Sequence, residues 1–410
     1  MSNGLAQPGA LEGVRVLHLL DGMGAYAGRL LRGLGADVIR VEPPGGSTSR
    51  NRPWAFAGEV TPEIEAAPSL HFLHYHAGMQ GITLDPTSEE GRELLTRLLD
   101  QVDIVLDNGQ LARWGFDLDR LAAKSPALVV VSLTPFGLTG ERAGWQGTDL
   151  VRQAMSGMLG IFGYYDERPA RFGVEQASEM GGLAAALGGL IALYGARHNA
   201  DPSGGGEVVD ISVERVCALV TFQMWNASMF EQFDFRRDRL PRQDGLPVGL
   251  YEASDGFFAL GTWREIERTM GMLEQTGFAD GLRELWGELG DAKFIVSEQA
   301  NEAMTNLARS VTRAELLELV QAAKLTGLPV NDASDLVVDP FLKARGAFVE
   351  LEAAGLPAPL LDVGAPVQMG ESPWQTGKRP PLLGEHNAEV FGAIGLSEGD
   401  LEGLRTRGVV

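Results

Sequence analysis

The first residues whose types and spacing could do chemistry are Gly22-Met23-Gly24-Ala25-Tyr26-Ala27, a G-x-G-x-x-A run. Glycines so placed let the backbone approach a pyrophosphate, and Glu42, 20 residues after Gly22, stands where an acid would take ribose hydroxyls. An NAD-dependent enzyme using Gly22, Gly24 and Glu42 is one reading of these residues. A tight strand-to-helix turn with no ligand is the other. His71, His74 and His76 are read by alternation as one strand face, but no Cys or acid is spaced to complete a metal set, so no metal is expected. Cys217 is the single cysteine, which rules out an intrachain disulfide and a Cys-rich metal site.

The elements that must position these residues follow from hydrophobic periodicity. Val14–Leu20 and Ala36–Glu42 read as buried strands. Between them Ala27, Leu30, Leu31 and Leu34 fall on one helix face, so strand, helix and strand form a βαβ unit with parallel strands. Ile82–Leu84, Val102–Leu106, Ala127–Leu133 and Val208–Ser212 continue the series as near-continuously apolar strands, as a sheet covered on both faces requires. A capping box from Thr87 to Glu90 opens a helix that buries Leu94, Leu95, Leu98 and Leu99. The Ala/Gly/Leu stretch Gly181–Arg197 predicts a helix against which another backbone packs closely. From about Phe230 mixed charges, the hairpin-like Tyr251–Leu260 and amphipathic stretches predict a smaller α+β domain, and Gly327–Val330 a short strand leading back.

The expected fold is α/β: a Rossmann-like large domain with a parallel sheet, assembled from both chain ends (1–225 and 327–410), and an inserted small α+β domain (226–326). A formal net charge of −21 argues against nucleic acid or an anionic membrane as partner. No run of about 18 apolar residues is apparent, and the polar N-terminus lacks the apolar core of a signal peptide. A soluble, cytoplasmic protein is the expectation.

Several segments carry a resemblance to a known family. They are Leu11–Leu17 with Leu34–Pro43, Gly204–Ser212, Gly327–Val330 with Asp339–Phe348, and Pro381-Leu382-Leu383-Gly384-Glu385-His386. In order and spacing they resemble the family III CoA-transferases, the CaiB/BaiF group of formyl-CoA transferase, carnitine CoA-transferase and methylacyl-CoA racemase. The resemblance implies an interlocked dimer. It also implies CoA and acyl-CoA as substrates, with a carboxylic acid as acceptor and no tightly bound cofactor. Chemistry in the family runs through an Asp that attacks the thioester.

This chain departs from the pattern at that position. Ungapped counting forward from Gln153–Gly157 puts Ser178 there, and counting back from Ala192–Arg197 puts Glu179 there; neither is Asp. Both residues also suit the capping of the helix that follows. Thr148 occupies the racemase His position, and Asp149 beside it suits a helix N-terminus. The CoA-contact positions are thinned as well: Pro43, His76, Met79, Gln80 and Gln146 stand where polar or basic residues are expected. The resemblance leaves Gly22, Met23, Gly24, Asn108 and Arg113 as CoA-binding candidates. It implies either a non-catalytic or atypical subunit of a heterodimer or heterotetramer with a homologous chain, similar in kind to succinyl-CoA:benzylsuccinate CoA-transferase, or a homodimer active through Glu179.

Overall fold

The structure is a computed structural model that describes residues 7–51, 68–125, 127–163, 167–198, 206–222, 226, 229–230, 249–261, 265–282, 284, 293–351, 359–375 and 378–410. The expected turn residues Gly204 and Gly205, and the 225 side of the expected domain border, lie outside them. Two compact units are present: 1–235 with 344–410, and 236–343.

The larger unit is built on six parallel strands: β1 (Arg15–His18), β2 (Asp37–Glu42), β3 (Gln80–Thr83), β4 (Ile104–Asp107), β5 (Val129–Thr134) and β6 (Glu207–Ser212). Their order is β3-β2-β1-β4-β5-β6, the doubly wound arrangement in which the direction of winding reverses between β1 and β4. β4 and β5 are buried at every position, which accounts for the absence of alternation in their sequence.

Both chain ends build this unit. The C-terminal helices Asn387–Ala393 and Glu398–Thr406 insert Phe391, Leu401 and Leu404, with Val409 and Val410, into a core shared with Leu17, Ile39 and Ile82. Buried Asn387 fixes their register on β3, accepting from Thr83 N at 2.9 Å and donating to Thr83 Oγ1 at 2.8 Å. Each such bond contributes on the order of 1 kcal/mol net.

The small-residue helix spans Gln176–His198 and does take a close approach. A Cβ on Gly182 would lie 3.0 Å from Tyr26 Cβ and 3.3 Å from Gly24 O, and one on Gly181 would lie 2.8 Å from Val213 Cγ2. By length and apolarity this helix would suffice to cross a bilayer, contrary to the reading that no such run exists. Here, however, its glycine and alanine face is buried against the sheet and the helix Ala25–Gly33.

Other expectations are corrected. His71 and His74 sit on a helix, Leu70–Tyr75, not a strand; Ser69 caps it by accepting from Phe72 N. Ser88, not Thr87, caps the helix Glu89–Leu99, because Thr87 is turned back onto Asp85.

The smaller unit holds an antiparallel sheet of β7 (Gly249–Ala253), β8 (Gly256–Leu260) and β9 (Gly327–Pro329). Helices Ile266–Gln275, Lys293–Ser310 and Arg313–Ala322 join the sheet around a core that includes Phe258, Leu273, Leu307 and Leu316. The strand read as leading back at Gly327 therefore stays in this unit, because it hydrogen-bonds to Phe258–Leu260.

Candidate functional site

In a doubly wound sheet the ligand crevice opens at the carboxyl ends of the strands, where the winding reverses. Here that point lies between β1 and β4, which pair His18 with Leu106. The loop leaving β1 carries Gly22, Met23 and Gly24, and the loop leaving β4 carries Asn108. The glycine spacing has a conformational cause: Gly22 and Gly24 have φ of 76° and 77°, where a side chain is strained. A Cβ on Gly24 would also collide with Leu133 Cδ2, 1.9 Å away.

Arg40 holds the β1 loop from beneath. Its buried guanidinium donates to Leu20 O and, at 3.4 Å, to Asp21 Oδ1, which Thr48 Oγ1 steadies through Oδ2 at 3.1 Å. His18 Nδ1 lies 3.4 Å from Arg40 Nη1 and can only accept from it. Burial, and then the Arg40 charge, push the His18 pKa down to about 3, so this imidazole is neutral.

Glu42 is not free to meet a ribose. Arg50 donates to both its oxygens, at 2.8 and 2.7 Å, and Ser47 N donates a third bond at 3.0 Å. Burial alone would raise its pKa, but the Arg50 bond and the charges of Arg40 and Arg50 bring it below the ordinary value. This corrects the dinucleotide reading: the acid of the fingerprint is spent inside the protein.

On the β4 side, fully buried Asp107 accepts from Gly109 N at 2.7 Å and Leu111 N at 2.9 Å, shaping the turn that presents Asn108. Burial raises its pKa despite those bonds. Asn108 Oδ1 is buried with no hydrogen-bond partner among the described residues, an acceptor suited to a ligand donor. Arg113 ends the short helix Gln110–Arg113 with its side chain exposed and makes no hydrogen bond to the Ser178–Glu179 group.

Ser178 and Glu179 lie in the first turn of the Gln176–His198 helix. They are brought to the glycine loop by the Gly182–Gly24 approach. Ser178 is 2% exposed and fully engaged. Its hydroxyl donates to Asp149 Oδ1 at 3.0 Å and accepts from Arg152 Nη2 at 2.7 Å, while its N–H donates to the same Asp149 oxygen at 2.8 Å. Asp149 Oδ2 takes a further bond from Gln153 Nε2 at 2.6 Å. Among the described residues the Ser178 hydroxyl meets no imidazole; its proton points at the Asp149 carboxylate, whose basicity is reduced by the donors from Arg152 and Gln153. Nearby Cys217 is buried, and desolvation followed by the Asp149 charge pushes its thiol up to about 11.

Glu179 faces the other way. Its Oε1 accepts from Tyr75 OH, and Tyr26 stands edge-on to Tyr75 with centroids 6.3 Å apart. Burial raises the Glu179 pKa, and the Tyr75 bond with the His74 and His71 charges offsets this only in part. His74 is itself tied to Asp362 at 2.5 Å, and Arg29 to the other Asp362 oxygen at 2.9 Å.

Sequence reasoning missed Arg152 and Tyr75 and gave Asp149 only a helix-terminal role. Thr148 does cap the Asp149–Met155 helix, but the i, i+3 spacing of Asp149 and Arg152 was the available sign of a pair. The i, i+4 spacing of His71 and Tyr75 would likewise have marked one helix face.

Fold and site together define an α/β protein with a crevice at a topological switch point and with Ser178 and Glu179 brought to its glycine loop. The sequence matches the family model described as CoA-transferase family III over residues 11–387, and the chain belongs to that family of transferases. It is 31% identical to the succinyl-CoA:(R)-benzylsuccinate CoA-transferase subunit BbsE of Thauera aromatica over 97% of each chain. It is 29% identical to the succinate–glutarate CoA-transferase of Agrobacterium fabrum, over 94% of this chain and 95% of that one. A solved CaiB/BaiF family protein from Brucella suis superimposes with a TM-score of 0.77 at 27% identity, covering 95% of this chain and 100% of the other.

Proposed function

We propose that this chain is the non-catalytic subunit of a heteromeric acyl-CoA:carboxylate CoA-transferase, and that a homologous partner chain supplies the nucleophilic Asp. The observation that carries this reading is the state of Ser178: a buried hydroxyl held between Asp149 and Arg152, whose only carboxylate neighbour among its hydrogen-bond partners is already engaged by Arg152 and Gln153. Asp149 does not substitute, since donors from Ser178, Arg152 and Gln153 already occupy its oxygens. The relative named as a subunit, BbsE, supports the heteromer.

Assembly with a second chain has support in the Gln176–His198 helix. Its outer face exposes Leu183, Leu187, Ile191 and Tyr194, by 56 to 66%, in one stripe. An interlocked arrangement with a homologous chain would cover it.

A second reading keeps Glu179 as nucleophile in a homodimer, since it offers a half-buried carboxylate one residue along. Its Tyr75 bond counts against it, because that donor already occupies Glu179 Oε1. The deciding experiment is purification of the chain alone and with an Asp-bearing family chain, each assayed for CoA transfer from succinyl-CoA to a panel of acids. Transfer only by the pair supports the subunit reading. Transfer by the chain alone, abolished by Glu179→Gln, overturns it in favour of the second.

A further inference from the structure

At the opposite end of the sheet from the crevice, where β2 and β3 begin, a cleft of about 450 Å³ is lined by Arg32, Lys378 and His386 together with the acids Asp37, Glu385 and Glu389. The segment after Lys378 straps this edge: Gly78 N donates to Arg379 O at 3.1 Å, and His386 N to Gly81 O at 2.9 Å. The Arg32 guanidinium and the stem of Lys378 meet over Gly78. A Cβ there would lie 3.2 Å from Arg32 Nε and 3.5 Å from Lys378 Cβ. Arg32 spends only Nε, on Gly78 O at 2.6 Å; its two terminal nitrogens carry no hydrogen bond, and Lys378 makes no ion pair, among the described residues.

The third donor is set by geometry. Gly81 N donates to His386 Nδ1 at 3.0 Å, so that nitrogen carries no proton and the neutral ring bears its N–H at Nε2. The lining acids are largely committed. Glu385 is held by Arg379 through both oxygens, at 2.8 and 2.6 Å, and Glu389 accepts from Gln80 at 2.8 Å. Asp37 alone faces Arg32 without an ion-pair contact. An open guanidinium fork, an ammonium and an imidazole N–H around one small cleft make a donor set for a tetrahedral oxyanion.

We propose that this cleft is a phosphoryl-binding site at the other end of the sheet from the crevice. Gln80 in its wall is a position where the family resemblance expects a CoA contact, and the proposal does not rest on the subunit reading. The cleft takes free phosphate or a small phosphate monoester through Arg32, Lys378 and His386.

The test is isothermal titration of the full-length protein with inorganic phosphate and, separately, glycerol 3-phosphate. Saturable binding of either supports the site, and the better of the two identifies the source. Lys378→Gln is the informative variant, because Arg32→Gln also removes the bond to Gly78. It should weaken binding roughly tenfold or more, while Arg120→Gln, an exposed charge elsewhere, should bind as the parent does. No saturation by either probe, equal weakening by Arg120→Gln, or unchanged affinity in Lys378→Gln overturns the assignment. Succinate competing as strongly as phosphate would overturn it too, by making the cleft a carboxylate site.

Discussion

Ser178 and Asp149 share one carboxylate oxygen twice over: the serine's N–H reaches Asp149 Oδ1 at 2.8 Å and its hydroxyl reaches the same atom at 3.0 Å. Arg152 closes the arrangement from the other side, and its side chain is 5% exposed. Ser178 is thus part of a buried polar network. Such networks are costly to interrupt, because each removed partner leaves another group unsatisfied.

Asp149→Ala should therefore behave as a stability mutation. It strands the Arg152 charge and two Ser178 donors, and should cost about 3 kcal/mol. Urea unfolding of the parent, Asp149→Ala, Arg152→Met and the double variant should give a coupling energy of about 1–3 kcal/mol. Strictly additive single effects would remove the network argument.

The raised Glu179 pKa has a sign that can be checked. Its carboxyl holds a proton more readily folded than unfolded, so it favours the folded state below the ordinary carboxyl range and loses that contribution as pH rises through its raised value. Glu179→Gln keeps an acceptor for Tyr75 and should gain stability over the parent as pH rises from 4 to 8. Urea midpoints across that range are the measurement; a constant difference would show that Glu179 titrates normally.

Glu42 has the opposite sign. Its carboxylate is 1% exposed and paired with Arg50, so it contributes stability above the ordinary carboxyl range and loses it as pH falls through its lowered value. Glu42→Gln should cost about 3 kcal/mol at neutral pH, with a smaller deficit in acid. NADH fluorescence should show no binding by either protein. Saturable NADH binding by the parent that the variant lacks would restore the dinucleotide reading.

The sheet was largely legible because its strands are apolar on both faces and its first turn needs glycine for conformational reasons. The Gln176–His198 helix was legible from small residues whose missing side chains admit another backbone. The site was less so. Ser178 and Glu179 could not be told apart by counting, since both lie in one helical turn. What separates them is contact with residues 29 and 104 positions away, Asp149 and Tyr75. Gly327–Pro329 was placed in the wrong unit because a three-residue strand carries too little pattern to choose its sheet.

Arg113 is the CoA contact suggested by the family resemblance, and its exposure makes it a clean test. Arg113→Ala should leave the unfolding midpoint unchanged while weakening CoA binding by about 1.5–3 kcal/mol, one charge-assisted phosphate bond. Calorimetric titration with CoA of the assembled protein measures this. Equal affinity in the two proteins would place Arg113 outside the CoA site.

The final expectation concerns the stripe of Leu183, Leu187, Ile191 and Tyr194. Spacings of four, four and three residues put these side chains on one side of the helix, opposite the buried Gly182, Ala185, Ala186 and Gly189. A free chain would leave four large apolar groups in water next to one another. Burying one such side chain stabilises by about 1.5–3 kcal/mol, so the stripe is where a second chain would gain most. Leu187→Glu with Ile191→Glu should abolish assembly, since it would force two carboxylates into an apolar contact. Because both positions point away from the unit's own core, the variant should keep its secondary structure. Sedimentation velocity at low micromolar concentration, beside circular dichroism, separates the outcomes. A parent that sediments as a folded 44.0 kDa monomer, or a variant that assembles as the parent does, would show that this face is not where the second chain binds.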